Sequence, residues 1–223
     1  QRNSNHIRDQ RSALGKEQQK SNEKYLRECG IEFEDILKGL RKICDDNNIL
    51  LIFDEVQTGV ARTGKLYCYQ NYGVEPDILT SAKALGCGMP IGAMLAKDFV
   101  AQAFEAGNHA STFGGNPIAC ACACALLDEI EEKNILENVN EVGAYLIKQL
   151  KGINSPKIKA IRGMGLMIGI ELDTEVKDII LKCMEKGLLV INAGAKVIRF
   201  VPPLVITKND VDKAILILKE AIQ

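Results

Sequence analysis

An acid and a lysine, each at the end of an apolar run, are the residues of this chain best placed to do chemistry. The run Ile49-Leu50-Leu51-Ile52-Phe53 stops at Asp54-Glu55-Val56-Gln57-Thr58-Gly59. A second run, Asp77-Ile78-Leu79-Thr80, leads into Ser81-Ala82-Lys83-Ala84-Leu85-Gly86-Cys87-Gly88. Read as neighbouring strands of a parallel sheet, the two runs deliver Asp54 and Lys83 to the same edge, where open α/β sheets bind ligands. A lysine held there and partly desolvated can lose its proton and form a Schiff base with a carbonyl compound. The carboxylate is then placed to hold a cationic ring nitrogen. Those two demands are the ones that pyridoxal phosphate makes of a protein.

The bulk composition is that of a soluble globular protein. The 223 residues are 47% hydrophobic and 26% charged, with a formal net charge of −1. That length suits one large or two small domains. Near-neutral charge gives no footprint for nucleic acid or an anionic membrane. No apolar run approaches the roughly 20 residues of a membrane span. Residues 1–24 are polar almost throughout, without a secretory pattern, so the expected location is the cytoplasm. Eight cysteines contain no CxxC pair, and His6 and His109 lack zinc-ligand spacing to any of them, so no metal is expected. Small buried side chains in a reducing compartment account for the cysteines.

The elements that must position the two residues can be read from periodicity. Residues 1–30 form a polar leader with too few apolar positions for a core-facing stripe, and are expected to be disordered or a solvated helix. Ile36, Leu37, Leu40, Ile43 and Cys44 then share one helical face, and Asp45-Asp46-Asn47-Asn48 closes that helix before a strand at 49–54. Short strands follow at 78–80 and, through Pro90–Ala96, as a further buried strand. Asn116 and Pro117 read as the N-cap and first position of a helix running to Glu132. Ile135, Val139, Val142, Leu146 and Leu150 mark an amphipathic helix. Strands at 158–162, 166–172, 188–191 and 197–200 come next, with a helix over 175–186. A last helix starts at Thr207, with Asp210 in a capping box. The expected fold class is α/β: part of a large domain with a mainly parallel sheet over 31–132, plus a small α+β domain over 133–223.

Four motifs in one order carry a resemblance. Leu51-Ile52-Phe53-Asp54-Glu55-Val56-Gln57-Thr58-Gly59 with Arg62-Thr63-Gly64-Lys65 resembles the signature of class III, ornithine-type aminotransferases of the pyridoxal-phosphate transferase fold. Ser81-Ala82-Lys83-Ala84-Leu85-Gly86 followed by Pro90-Ile91-Gly92-Ala93 is similar to that family's lysine segment. Ser111-Thr112-Phe113-Gly114-Gly115-Asn116-Pro117 and Ile198-Arg199-Phe200-Val201-Pro202-Pro203-Leu204 are similar to its third and C-terminal motifs. The agreement covers roughly residues 34–223, and four ordered motifs are far more specific than any one. Among subgroups the wording is most like the N-acetylornithine aminotransferases of arginine biosynthesis.

The resemblance implies roles. Lys83 and Asp54 are catalytic: Lys83 bonds the cofactor and moves the substrate's proton, and Asp54 pairs with the ring nitrogen of pyridoxal 5′-phosphate. Asp54, Glu55, Val56, Gln57, Lys83 and Thr112 form the cofactor set. Val56 packs on the ring, the Gln57 amide donates to its phenolic oxygen, and Glu55 turns away to anchor the loop. Thr112 offers a hydroxyl to the phosphate and Ser111 to phosphate or substrate, both reaching across a homodimer. Arg199 is a candidate for the substrate carboxylate or for pairing with a buried acid. The residues alone leave a surface lysine, a solvated strand-end acid, ordinary core for Val56 and a Ser/Thr turn as open alternatives. The implied partners are a small amino donor (N-acetylornithine, or else ornithine, 4-aminobutyrate or succinyl-diaminopimelate) and 2-oxoglutarate. The family's phosphate loop, ring-stacking aromatic and carboxylate-gripping arginine have no counterpart in residues 1–48, and Cys87 stands where glycine is common. The chain is therefore expected to hold half a site, to bind cofactor weakly, and to be an inactive remnant if nothing supplies the rest.

Overall fold

A computed structural model describes residues 32–223, so the polar leader lies outside the described residues. Two units are distinguished, one ending at Leu51 and one spanning Ile52–Gln223.

The described part of the first unit is essentially one helix, α1 (Phe33–Asp46). It lacks a side-chain N-cap and is held along its outer face by i,i+4 pairs, Glu34 with Lys38 at 2.6 Å and Lys42 with Asp46 at 2.7 Å. Asn47 ends it by donating its side-chain amide to the Ile43 carbonyl, and Asn48 follows in the left-handed region. Of the apolar stripe only Leu37 is buried.

The second unit contains two sheets. The first has the order β1 (Ile52–Asp54), β2 (Ile78–Ser81), β3 (Ala93–Ala96). β1 and β2 are parallel, with Asp54 level with Thr80, as the two apolar runs required. β3 departs from the expectation of a mainly parallel sheet: it returns antiparallel along β2, with Ser81 opposite Ala93. A direct return over the short stretch 82–92 leaves no room for the crossover that parallel pairing needs. Two strands are also shorter and less buried than their composition predicts. β1 starts only at Ile52, which is 56% exposed, and Met94 and Leu95 of β3 are exposed. A one-turn helix α2 (Asp98–Ala101) and a 3-10 turn at Cys68–Asn71 had no sequence signal strong enough to read.

Next come α3 (Pro117–Glu132) and α4 (Ile135–Lys151). α3 begins as expected: the Asn116 side chain accepts from the Ile118 and Ala119 amides, with Pro117 at the first position. The second sheet is wholly antiparallel, order β4 (Ile158–Met164), β5 (Met167–Leu172), β7 (Val197–Phe200), β6 (Ile191–Asn192). Period-two alternation buries Ile168, Ile170 and Leu172 from β5 and Ile198 and Phe200 from β7. Helices α4, α5 (Lys177–Glu185) and α6 (Lys208–Ile222) supply Val139, Leu146, Leu150, Cys183, Val211 and Leu218 to the same core. Thr207 and Asp210 form the expected capping box of α6, each accepting from the other's amide. Among the described cysteines only Cys183 is buried, and Cys87 and Cys124 are exposed, so small core packing accounts for one of them and not for the set. No helix among the described residues is long and apolar enough to cross a membrane.

Gly143 marks the tightest crossing. A Cβ there would sit 2.2 Å from the Gly165 carbonyl oxygen and 2.6 Å from its carbon, both backbone atoms that cannot swing aside. Gly143→Ala is therefore expected to destabilise the fold by about 3 kcal/mol, the upper end for overpacking. A lowered urea midpoint at unchanged m-value would show it; an unshifted midpoint would place α4 and the β4–β5 turn farther apart.

Candidate active site

The parallel pair carries the acid to the sheet edge and fixes its direction. The Glu55 amide donates to the Thr80 carbonyl at 3.0 Å, extending the ladder one step past β1. Asp54 Oδ1 accepts both the Val56 amide at 3.1 Å and the Thr80 hydroxyl at 3.2 Å. Two donors on one oxygen hold the carboxylate plane, and Oδ2 has no protein donor among the described residues. Asp54 thus presents an oriented, exposed acceptor at the C-terminal end of its strand.

Glu55 points the other way, as expected of an anchor. Only 4% exposed, it accepts the Tyr69 amide at 2.8 Å on Oε1, and the Cys68 amide at 3.0 Å and the Thr58 hydroxyl on Oε2. It ties the loop after β1 to the 3-10 turn at 68–71. Val56 is half-buried beyond it.

Gln57 meets Arg199, a contact across 142 residues that no local pattern could show. Arg199 Nη1 donates to Gln57 Oε1 at 3.2 Å. A guanidinium can only donate, so the amide oxygen must face Arg199 and the NH2 group must face away, free to donate elsewhere. Arg199 Nε is buried without a partner, so the guanidinium retains a donor for an incoming acceptor. A cavity of about 430 Å³ borders Arg199, Leu146, Phe200, Pro203 and Ile206, but neither Asp54, Gln57 nor Lys83 lines it. Its walls are mainly apolar, with Arg199 and Asp210 as the charged side chains of the lining, so of the candidate site residues it takes in Arg199 alone.

Lys83 corrects one expectation. It is exposed, and its amine has no partner among the described residues, so burial does not desolvate it here. The reason is its place on the rim: it opens a 3-10 turn, Lys83–Gly86, just past the end of β2. Its backbone is left-handed at φ +51, a conformation that costs a non-glycine residue about 1–2 kcal/mol. The second half of the turn anchors the first. Leu85 and Gly86 are buried, and a Cβ on Gly86 would meet Ile91 Cγ2 at 2.9 Å.

Ser111 and Thr112 lie in an exposed stretch, with the Ser111 carbonyl accepting the Gly114 amide at 3.2 Å. Neither hydrogen-bonds to Asp54, Gln57, Lys83 or Arg199 within the described chain. Sequence reasoning passed over three other polar residues beside the site. Arg62 Nη1 donates to the carbonyls of Leu166 at 3.1 Å and Pro202 at 2.5 Å. Asn140 donates to the Gly64 carbonyl at 2.9 Å, and Asn138 to that of Leu204 at 2.7 Å. Their signal, a polar residue on an otherwise apolar helix face or in a glycine loop, names no partner.

Known proteins resemble this chain in both sequence and fold. Residues 28–222 match the family described as aminotransferase class III. The acetylornithine aminotransferase of Aquifex aeolicus is 50% identical over 187 residues, 84% of this chain and 48% of that protein. That of Clostridium acetobutylicum is 51% identical over 193 residues, 85% and 50%. Among solved structures, an ornithine aminotransferase from Plasmodium yoelii superposes with TM-score 0.81 at 37% identity, covering 86% of this chain and 52% of its own. An acetylornithine aminotransferase from Elizabethkingia anophelis gives 0.80 at 36%, covering 86% and 50%. The chain spans about half the length of the curated relatives it matches. With residues 28–222 matched by the family and half of the 187 aligned residues identical in such a relative, the chain belongs to the class III aminotransferase family.

Proposed function

We propose that this chain forms part of a pyridoxal-phosphate-dependent aminotransferase that takes an amino group from N-acetylornithine and passes it to 2-oxoglutarate. The observation that supports the reading is the end of the parallel pair: an oriented carboxylate with one open oxygen where β1 ends, and an exposed lysine with no partner among the described residues just past the end of β2. When bound, the cofactor supplies an electron sink for the substrate carbon. The donor chemistry of these residues fits that group. Asp54 Oδ2 can accept from a ring N–H, the Gln57 NH2 can donate to a phenolic oxygen, and the Lys83 amine is open to an aldehyde.

The residues then divide the work. Asp54 holds positive charge at the ring nitrogen, and Lys83 moves the proton at the substrate carbon. Val56 covers part of the ring face, and Glu55 keeps the loop from shifting. Arg199, with its spare Nε–H, takes a substrate carboxylate. Ser111 and Thr112 act across a homodimer on the phosphate or substrate, consistent with their exposure and their lack of bonds to the site of their own chain. The organisation that goes with this is a cofactor domain over 31–132 and a small domain over 133–223, each with its own sheet, in a cytoplasmic protein. Acetylornithine is preferred over ornithine because the curated relatives at about 50% identity carry that name.

Incubating the chain with pyridoxal phosphate, reducing with borohydride and mapping the modified peptide tests this reading. Lys83 is expected to be labelled ahead of the other lysines, and N-acetylornithine is expected to slow that labelling. Even labelling of surface lysines, with Lys83 no faster than the rest, would refute it.

A further inference from the structure

Between Gln57 and the core, loop 58–64 takes a costly path. Val60 and Ala61 are both left-handed, at φ +55 and +68, yet are only 2% and 0% exposed. Each such residue costs on the order of 1–3 kcal/mol and persists only where its surroundings dictate it. Arg62 supplies much of that dictation. Its guanidinium spans the Leu166 and Pro202 carbonyls, and its own carbonyl accepts the Leu166 amide at 3.0 Å. Asn140 holds Gly64 and Asn138 holds Leu204 and Ile206, so α4 carries both segments that Arg62 joins. Arg62 follows Gln57 by five residues, and Pro202 follows Arg199 by three. The clamp therefore sits directly behind both partners of the Gln57–Arg199 contact. Burial pulls the Arg62 guanidinium below its ordinary pKa, and among the described residues no carboxylate lies within ion-pair reach. A cation desolvated without a counter-charge, and bonded only to carbonyls, is held for geometry.

We propose that Arg62 is a positioning residue: by clamping the loop after Gln57 to the segment after Arg199, it sets the geometry in which those two side chains meet and in which Arg199 receives a carboxylate of a dicarboxylate substrate. The structural half stands on the Arg62, Asn138 and Asn140 contacts, and the substrate half rests on the aminotransferase reading.

The test uses the full chain labelled with nitrogen-15 and glutarate as a dicarboxylate probe. In the parent, the Arg62 Nη protons are expected to give discrete, slowly exchanging signals; a solvent-averaged guanidinium would overturn the proposal without any variant. Arg62→Lys keeps the charge but not the planar fork. It is expected to shift or broaden the Gln57 side-chain amide and Arg199 Nε–H signals while the amides of Ile168 and Ile198 stay in place. Glutarate should bind about tenfold more weakly, as when one charge-assisted hydrogen bond is lost. Unmoved Gln57 and Arg199 signals with parental glutarate affinity would sink the positioning role, even with Lys83 carrying the pyridoxal label. Moved signals without any label on Lys83 would sink the aminotransferase reading and leave the clamp.

Discussion

Lys83→Ala is expected to carry no borohydride-trapped label at position 83 and to exchange amino groups at background rate in any assembly of this chain that turns over. On the proposed reading two functions are removed together, the nucleophile that bonds the cofactor and the base that moves the substrate's proton. The proton-moving role alone is worth up to about 10⁴-fold. The variant reads chemistry and not collapse, because the Lys83 side chain is exposed and makes no bond within the described chain. Its removal should change stability by about 0.5 kcal/mol or less. Lys83→Gly provides the internal control: it is equally inactive, but should be more stable by roughly 1 kcal/mol because glycine adopts φ +51 without penalty. Turnover near the parental rate in either variant would mean another amine does the work.

Asp54→Asn should leave pyridoxal phosphate able to bind while lowering turnover by roughly 10²–10³-fold, the usual effect of removing one pre-oriented electrostatic partner. The asparagine carbonyl can still accept from the Val56 amide and the Thr80 hydroxyl, so the side chain keeps its plane. Its NH2 group then falls where Oδ2 was, presenting a donor to a ring N–H that needs an acceptor. Loss of rate with retained binding separates this from Asp54→Ala, which also frees Val56 and Thr80. Amino exchange by Asp54→Asn at the parental rate would assign the ring nitrogen to some other group.

What could be read from the chain beforehand is mostly what local chemistry decides. Asn116 with Pro117, and Thr207 with Asp210, state their helix starts in neighbouring residues, and both caps form as written. The strand expected at 166–172 forms as β5 over Met167–Leu172. The direction of β3 was out of reach, since an apolar run does not say which neighbour it pairs with or which way it runs. Asp54 and Lys83 were read together because parallel strands end at one sheet edge, and β1 and β2 do pair in parallel. The exposure of Lys83 was not legible, because it depends on where the turn meets the rim. Left-handed Val60 and Ala61 gave no warning: a β-branched residue is the last one expected there. The contacts of Gln57, Arg62 and Arg199 join positions more than a hundred residues apart, which no local pattern discloses.

Those distances set a timetable. The bonds from Arg62 to Leu166 and Pro202 span 104 and 140 residues, and that between Gln57 and Arg199 spans 142. At ribosomal speeds of about 5–20 residues per second, Pro202 leaves the synthetic machinery roughly 7–28 s after Arg62. Throughout that interval the nascent loop has no Pro202 carbonyl to grip, so nothing yet compels Val60 and Ala61 into their left-handed turn. Asp54 and Lys83 can be brought to their shared edge early in translation, whereas Gln57 can meet Arg199 only after β7 has been made. The Gln57–Arg199 contact thus forms later on the ribosome than the pairing of β1 with β2. A pause placed between codons 83 and 199 would lengthen the time for which half a site is displayed.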